Sequence, residues 1–480
     1  MNPRIITVSI SALALLLTAC QTAPKAAQSG IVASSFPLAS PTFDGTSAAA
    51  LDWRDVLIDP RLQALVQIAL SDSRDLRIAV LDAEAARAQL RVQRAVFWPQ
   101  IEAQAQATKN RDAGQSAGRI GGSEEGQQAR TLGQTQIGLN LTAFEIDLFG
   151  RLRAESESAS AAYLAAGAGR DAARIALIST VADAYIAQRA AQENLSLTEA
   201  TLDDWRRSLA MAEQLKAAGR GSALDVAQAL GQVRTAEADL AAAQRTLSTS
   251  TNALTLAIGR PIPADLPAGL PLDAAPVVTI LPVGLPSDLL EARPDIRQAE
   301  HRLSGANADI EAARAAFFPR LTLTGALGFG HPELNQLLKS TSGVWSYTPQ
   351  ITLPIFQGGR LKGSLDLARI RGDSAVANYE RSIQVAFREV ADGLAQRETY
   401  ERQVASQSAA VEAAERRLSL SDQRFRAGVD SRLELLDAQR QLYAARQSLV
   451  TLRQSRYASA IVLFRALGGG LREAAINDQS

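Results

Sequence analysis

RAVFWPQIEAQAQATKN (Arg94–Asn110) and RAAFFPRLTLTGALGFG (Arg314–Gly330) decide the fold of this chain, because the first returns as the second and both alternate apolar with polar residues. In the first, Ile101, Ala103, Ala105 and Ala107 interleave with Gln100, Glu102, Gln104 and Gln106. In the second, Leu321, Leu323, Leu327 and Phe329 oppose Arg320, Thr322 and Thr324. A period of two sends the two sets to opposite faces of a strand. Two further segments repeat the pattern: Ile137, Leu139 and Leu141 against Gln136, Gly138, Asn140 and Thr142, and Trp345, Tyr347, Ile351 and Leu353 against Ser346, Thr348, Gln350 and Thr352. Each has roughly the 9 to 11 residues that carry a tilted strand across a bilayer. Four strands cannot close a barrel, since the smallest single-chain barrels use about eight. Strands facing lipid would therefore need other chains to share the barrel; the competing reading is two hairpins packed on a soluble core.

The duplication extends outward. KAAGRGSALDV (Lys216–Val226) returns as RFRAGVDSRLEL (Arg424–Leu435), and NALTLAIG (Asn252–Gly259) is echoed by IVLFRALG (Ile461–Gly468). From Arg151 onward the copies are offset by 209 residues, and ahead of it by 220, because a Gly/Ser/Gln-rich loop between Lys109 and Arg130 is longer in the first copy. A unit longer than solenoid repeats implies two similar halves around a symmetric object.

Between the strands the chain reads as helix. No proline lies between Gln100 and Arg260 or after Pro354. The stretches Leu152 to Ala218 and Leu361 to Ala427 would each reach ~100 Å at 1.5 Å per residue. Shorter helices follow each, with seams at Val226, Ala229, Val233, Ala236, Leu240, Ala243 and Leu247, and at Leu435, Ala438, Leu442, Ala445, Leu449 and Leu452. Spacing of three then four is coiled-coil packing, and alanines let helices approach closely. Gly259 to Pro294 holds eight prolines and is expected to be a non-helical connector.

Composition removes several function classes. With 50 basic and 50 acidic residues the footprint of a nucleic-acid binder is missing. The two histidines, His301 and His331, have no partner at metal spacing, and no phosphate loop, nucleophile elbow or zinc motif is present, so no enzyme chemistry and no cofactor are expected. The first twenty residues combine Arg4, an apolar run from Ile5 to Leu17, and LTAC ending at Cys20, the pattern of a secretory signal. Cys20 is the sole cysteine, which excludes an intramolecular disulfide.

Each copy carries the same turn between its long and short helix. Gly219 and Gly428 stand where a helix ends in a left-handed residue. Ser222 with Asp225 and Ser431 with Glu434 fit the capping box that starts the next helix. Beyond the second tip lie Leu433, Asp437 and Arg440; the latter two are three apart on one helical face. The first copy has Gln228 and Gly231 at the matching positions. Repeated around an axis by several chains, such charges become rings at a constriction.

EIDLFGRLRAE (Glu145–Glu155), RPDIRQAEHRLSGANADIEAARAAFFPRLTL (Arg293–Leu323), QGGRLKG (Gln357–Gly363) and RFRAGVDSRLELLDAQRQLY (Arg424–Tyr443) resemble the outer-membrane efflux factor family, in its TolC/OprM-like, NodT-type lipoprotein branch. The resemblance runs from about Asp52 to Gly470. It implies a homotrimer whose three sets of four strands build one twelve-stranded barrel, continued by a periplasmic tunnel of helices. It also implies a lipid on Cys20, outer-membrane sorting favoured by Gln21, and docking with a periplasmic adaptor protein and an inner-membrane pump, usually of the RND type. The family's periplasmic constriction carries over to Leu433, Asp437 and Arg440, with Glu434 beside them. Its adaptor-facing tips carry over to Gly219, Arg220, Gly221 and Ser222, and to Arg426, Gly428, Val429, Asp430 and Ser431. Asp430 departs from members with a basic residue there, which puts an interprotomer lock at that position in question.

The expected organisation is a signal peptide over 1–19 and a lipidated tether over 20–50, followed by a first repeat over 51–260 with strands about 100–108 and 135–148 and helices 152–218 and 222–258. After a connector over 261–294 comes a second repeat over 287–470, with strands about 320–329 and 345–356 and helices 361–427 and 431–467, and then a tail over 471–480. The function expected is a passive exit duct for drugs or other small molecules. Two alternatives stand beside it: an outer-membrane conduit for type I protein secretion, and a lipid-anchored coiled-coil scaffold without a pore.

Overall fold

The computed structural model describes residues 51–112, 130–282 and 288–471. The leader, Cys20, the tether, most of the Gly/Ser/Gln-rich loop and nearly all of the tail lie outside the described residues. The chain runs α1 (Trp53–Val56), α2 (Pro60–Asp72), α3 (Arg74–Ala95), β1 (Ile101–Asp112), β2 (Arg130–Ile146), α4 (Arg151–Ala217) and α5 (Ala223–Ile258). It continues with α6 (Asp288–Ala292), α7 (Pro294–Ala315), β3 (Arg320–His331), β4 (Gly343–Thr352), α8 (Arg360–Arg426) and α9 (Arg432–Ala466). The repeat is visible in this order, with α3, β1, β2, α4 and α5 returning as α7, β3, β4, α8 and α9.

The four alternating segments form one antiparallel sheet in the order β1-β2-β3-β4. Two hairpins come from the two copies, and β2 joins them by pairing with β3, Leu139 opposite Leu327. β2 is longer than the alternation suggested because a bulge between Leu141 and Phe144, with Ala143 at φ 46°, absorbs a register shift and lets pairing resume. Close strand approach has its own sequence requirement: a methyl on Gly138 would lie 2.6 Å from the Leu327 carbonyl oxygen. No described strand residue is buried, and Trp345, Tyr347 and Ile351 project outward 64–78% exposed. The hairpins therefore do not pack on a soluble core. The sheet ends instead in two unpaired edges, on β1 and β4, with an apolar face that water does not favour.

α4 and α8 are 67 residues each, about 100 Å of helix. The expected seams close against them: Val233 and Ala236 are buried with Leu202 and Trp205 of α4, and Leu442 and Leu449 with Val404 and Val411 of α8. No described helix is long and apolar enough to cross a membrane.

The main core sits at the far ends of α5 and α9, where both copies and the connector meet. The connector departs from the non-helical expectation. Leu272–Ala274 forms a 3-10 turn, Asp288–Ala292 is helical, and Pro294 opens α7, a position where a missing N–H costs nothing. It is also pinned. Leu57 bridges to Val277, Asp59 accepts from the Tyr185 hydroxyl (2.7 Å) and the Leu270 amide (2.8 Å), and the Tyr457 hydroxyl donates to the Leu272 carbonyl (2.7 Å). The buried Arg293 guanidinium ties α7 to α8 and α9 of its own copy, donating to Asp295 (2.5 Å), Glu389 (2.8 Å) and the Ala466 carbonyl (3.0 Å).

Candidate functional site

The residues singled out in sequence gather at the end of the helices remote from the sheet. Gly219 and Gly428 both adopt φ 72°, the left-handed conformation that ends α4 and α8. The reversals are sealed by paired backbone bonds, Arg220 to Leu215 (2.8 Å) and Val429 to Arg424 (2.9 Å). At the first tip the capping box is complete: the Ser222 hydroxyl accepts from the Asp225 amide (3.1 Å) and the Asp225 carboxylate accepts from the Ser222 amide (2.9 Å). Those bonds hold the Asp225 carboxyl below its usual range.

The second tip does not copy it. Ser431 starts α9 without a side-chain cap, and the Glu434 carboxylate lies 3.8 Å from Arg417 instead of reaching back to Ser431. A cation on the neighbouring helix competes for the carboxylate that the capping pattern reserves. Asp430 is likewise engaged within its own turn, accepting from Arg424 Nε (2.8 Å) and Nη2 (2.7 Å), a bidentate pair that lowers the aspartate and raises the arginine.

Asp437 is the hub just above this tip. It accepts from Arg440 (2.9 Å), as the three-residue spacing implied, and from Arg417 on α8 (2.8 Å) and Gln441 (3.0 Å). Hydrogen bonds from Arg440 and then Arg417 pull its carboxyl below the ordinary 3.8. Arg417 also hydrogen-bonds Gln441, which closes the group. With Glu434, these charges form a neutral quartet of two arginines and two carboxylates. Sequence reading missed Arg417, because spacing along one helix says nothing about which residue an antiparallel neighbour presents, and Arg424, because its pairing with Asp430 depends on how the turn folds back on the end of α8.

The structure brings the first copy's Gln228 and Gly231 into the same groove, ≈ 420 Å³, as Leu433, Asp437 and Arg440. The two hairpins are also docked on each other. Gln232 donates to the Leu436 carbonyl (3.1 Å), Tyr443 meets Thr198 (3.1 Å) and stacks edge-on to Trp205 (5.7 Å), and the buried Arg432 donates to the Ser208 hydroxyl (3.0 Å). The hydrogen bonds of Gln232 and Arg432 can re-form after a small displacement, and the apolar contact that Tyr443 adds on Trp205 is far smaller than the core at the other end, which cannot part so cheaply. Among the described residues no cluster suited to a metal ion occurs.

A membrane-type sheet on one end, paired long helices and a charged tip on the other define a class that comparison makes explicit. The family described as Outer membrane efflux protein matches residues 65–260 and 285–469, and this chain belongs to it as a protein of the outer membrane. Among relatives, it is 43% identical over 438 residues to the probable efflux pump outer membrane protein TtgC of Pseudomonas putida, covering 91% of this chain and 89% of the relative. It is 40% identical to the outer membrane protein OprJ of Pseudomonas aeruginosa, covering 97% of this chain and 96% of that one. The open state of the Neisseria gonorrhoeae MtrE outer membrane channel superposes with TM-score 0.85 at 39% identity, over 94% of this chain and 98% of that channel. The fold is that of an outer-membrane efflux channel.

Proposed function

We propose that three copies of this chain form a passive exit duct for drugs or other small molecules, the outer-membrane component of a tripartite, RND-type efflux system. The observation that carries the reading is the four-stranded sheet with two open edges and an exposed apolar face. Joining β1 of one copy to β4 of the next satisfies both edges and closes twelve strands around a bore, while the helices continue it through the periplasm. Substrate moves by diffusion, driven by the pump, and no bond is made or broken in this chain. Cys20 carries the lipid anchor.

The tips around Gly219 to Ser222 and Arg426 to Ser431 face the periplasmic adaptor. Leu433, Glu434, Asp437 and Arg440 of each copy narrow the bore, and adaptor engagement moves the second hairpins outward like an iris. Supporting this is the contrast between the smaller, partly polar hairpin contacts here and the apolar core elsewhere. Expressed with its adaptor and pump in a host lacking its own exit channels, the chain should restore extrusion of ethidium. No extrusion from cells in which all three proteins are folded in the envelope would overturn the duct. Cysteine placed at Asp437 and cross-linked between copies should stop extrusion, and unchanged efflux after complete cross-linking would overturn the gate.

A further inference from the structure

A groove of ≈ 1200 Å³, separate from the one around Asp437, opens where α4 meets α8 and α9. Its apolar walls come from both hairpins: Trp205 and Met211 from α4, Leu418 and Phe425 from α8, Leu442 and Tyr443 from α9. Trp205 and Tyr443 are buried against each other, whereas Met211 is 51% exposed. The space suits a drug-sized molecule.

The charges in this groove do not balance. Four arginines and three carboxylates line it, and three of the arginines are matched: Arg426 with Asp422 (2.9 Å), Arg446 with Glu415 (2.6 Å) and Arg207 with Asp204. Arg432 is the one left over. Among the described residues no carboxylate lies at ion-pairing distance from it, although it is buried, at 6% exposed, while the other three arginines are exposed. Its Nη2 donates to the neutral Ser208 carbonyl and hydroxyl, its Nε is buried without an acceptor, and the guanidinium carbon lies 5.9 Å from the centre of the Phe425 ring. A cation taken out of water without a counter-charge is costly. Burial pulls the Arg432 pKa down from its ordinary value, and only the field of Asp225 opposes it. The Gln439 side-chain oxygen lines the same groove, also buried and without a donor.

We infer that the groove is a binding site for an anionic amphiphile, a small molecule with one carboxylate on an aromatic or other apolar body. The carboxylate supplies the counter-charge that Arg432 lacks, through charge-assisted hydrogen bonds to its guanidinium, and the body packs among Trp205, Met211, Phe425 and Leu442. A hydroxyl or amide on the ligand has an acceptor waiting in Gln439. An inorganic anion would leave the apolar walls wet, and a neutral amphiphile would leave Arg432 unpaired. Little of Arg432 is open to the groove, and a free molecule reaches it end-on without bringing a polar backbone among these apolar side chains. Because the walls belong to both hairpins, an occupant touches both at once. The site is built within one chain and goes beyond the duct reading.

Met211 gives the site a reporter, since the sequence holds only one other methionine, Met1. The full-length protein in lipid nanodiscs, irradiated with the photoreactive carboxylate 4-benzoylbenzoate, should gain label on the peptide carrying Met211. The labelling should saturate and be displaced by 2-naphthoate. The uncharged 4-benzoylbenzamide should need a concentration about tenfold higher or more, because it cannot pair with Arg432. Arg432→Leu should raise the half-saturating concentration of the acid by a similar factor, and Arg432→Lys should restore part of it. Equal half-saturation for acid and amide in the unaltered protein would overturn the assignment without recourse to any variant. So would unchanged labelling in Arg432→Leu protein of wild-type helix content, or label that saturates elsewhere and spares Met211. If a glutamate-bearing helical peptide blocks labelling at Met211 while 2-naphthoate does not, the occupant is an acidic protein partner and the small-molecule site is overturned.

Discussion

Removing the Asp437 carboxylate should make the resting channel both leakier and anion-selective. Arg417, Arg440, Glu434 and Asp437 sum to zero charge, so Asp437→Ala leaves one positive charge per copy and three around the constriction. At a spacing of roughly 10 Å in water, each of the three pairs repels by about 0.4 kcal/mol, or about 1 kcal/mol in all before screening. Physiological salt has a Debye length of about 8 Å and removes more than half of that. The lost contacts are themselves partly wet, with Arg417 42% and Arg440 62% exposed, so their direct contribution is about 0.5 kcal/mol each. The resting open fraction should therefore rise several-fold at 0.15 M salt, and less at 1 M. Planar-bilayer recording reads both quantities, the open fraction and the reversal potential in a salt gradient. Arg440→Ala should shift selectivity toward cations, and the double variant should return it to the wild-type value. The sign is the same for acid. Because its partners depress the Asp437 pKa, the ion pairs persist above the ordinary 3.8, and the leak should appear only as pH falls below that value. Unchanged conductance and reversal potential in both single variants would refute the placement of this quartet in the bore.

Three further outcomes follow from the packing. Arg293→Met should lower the stability of the purified protein by about 3 kcal/mol in denaturant titration, because Asp295 and Glu389 are left without the buried cation between them. Asp183 is mostly buried with one carboxylate oxygen unpartnered, and burial lifts its carboxyl from 3.8 to about 6, against the pull of Arg465. A raised acid costs stability as pH climbs from 3.8 to about 6, so Asp183→Asn should be more stable by up to about 3 kcal/mol at pH 8, with the difference vanishing below pH 4 in parallel melts. Ser222→Ala should destabilise the first hairpin by about 1 kcal/mol in hydrogen exchange, while Ser431→Ala should cost much less, since Ser431 makes no side-chain cap.

Periodicity made most of the fold legible. Alternation at Ile101 to Ala107 and Leu321 to Phe329 marked strands because one chemical pattern has one geometric solution, and the absence of proline marked the long helices for the same reason. The bulge at Ala143 was not legible, since it arises from fitting β2 to β3 across the repeat. The short helical turns of the connector, expected to be non-helical throughout, are not legible from proline density, which leaves out the apolar residues Leu272, Val277 and Leu281 that bury it on the core. In the candidate site, Asp437 and Arg440 were found through spacing on one helix, whereas Arg417, twenty residues earlier on the partner helix, depended on the register of the hairpin. The same register diverts Glu434 from Ser431, so the capping motif forms its side-chain bonds at the first tip and none at the second.

The central claim is that the open strand edges find partners in neighbouring copies. Amide hydrogen exchange of the protein in lipid nanodiscs tests it directly at the amides of β1 and β4 that point away from β2 and β3. A closed barrel predicts protection there as slow as in the middle strands; exchange within seconds at those amides, with β2 and β3 still protected, would leave a four-stranded sheet with free edges and contradict the account.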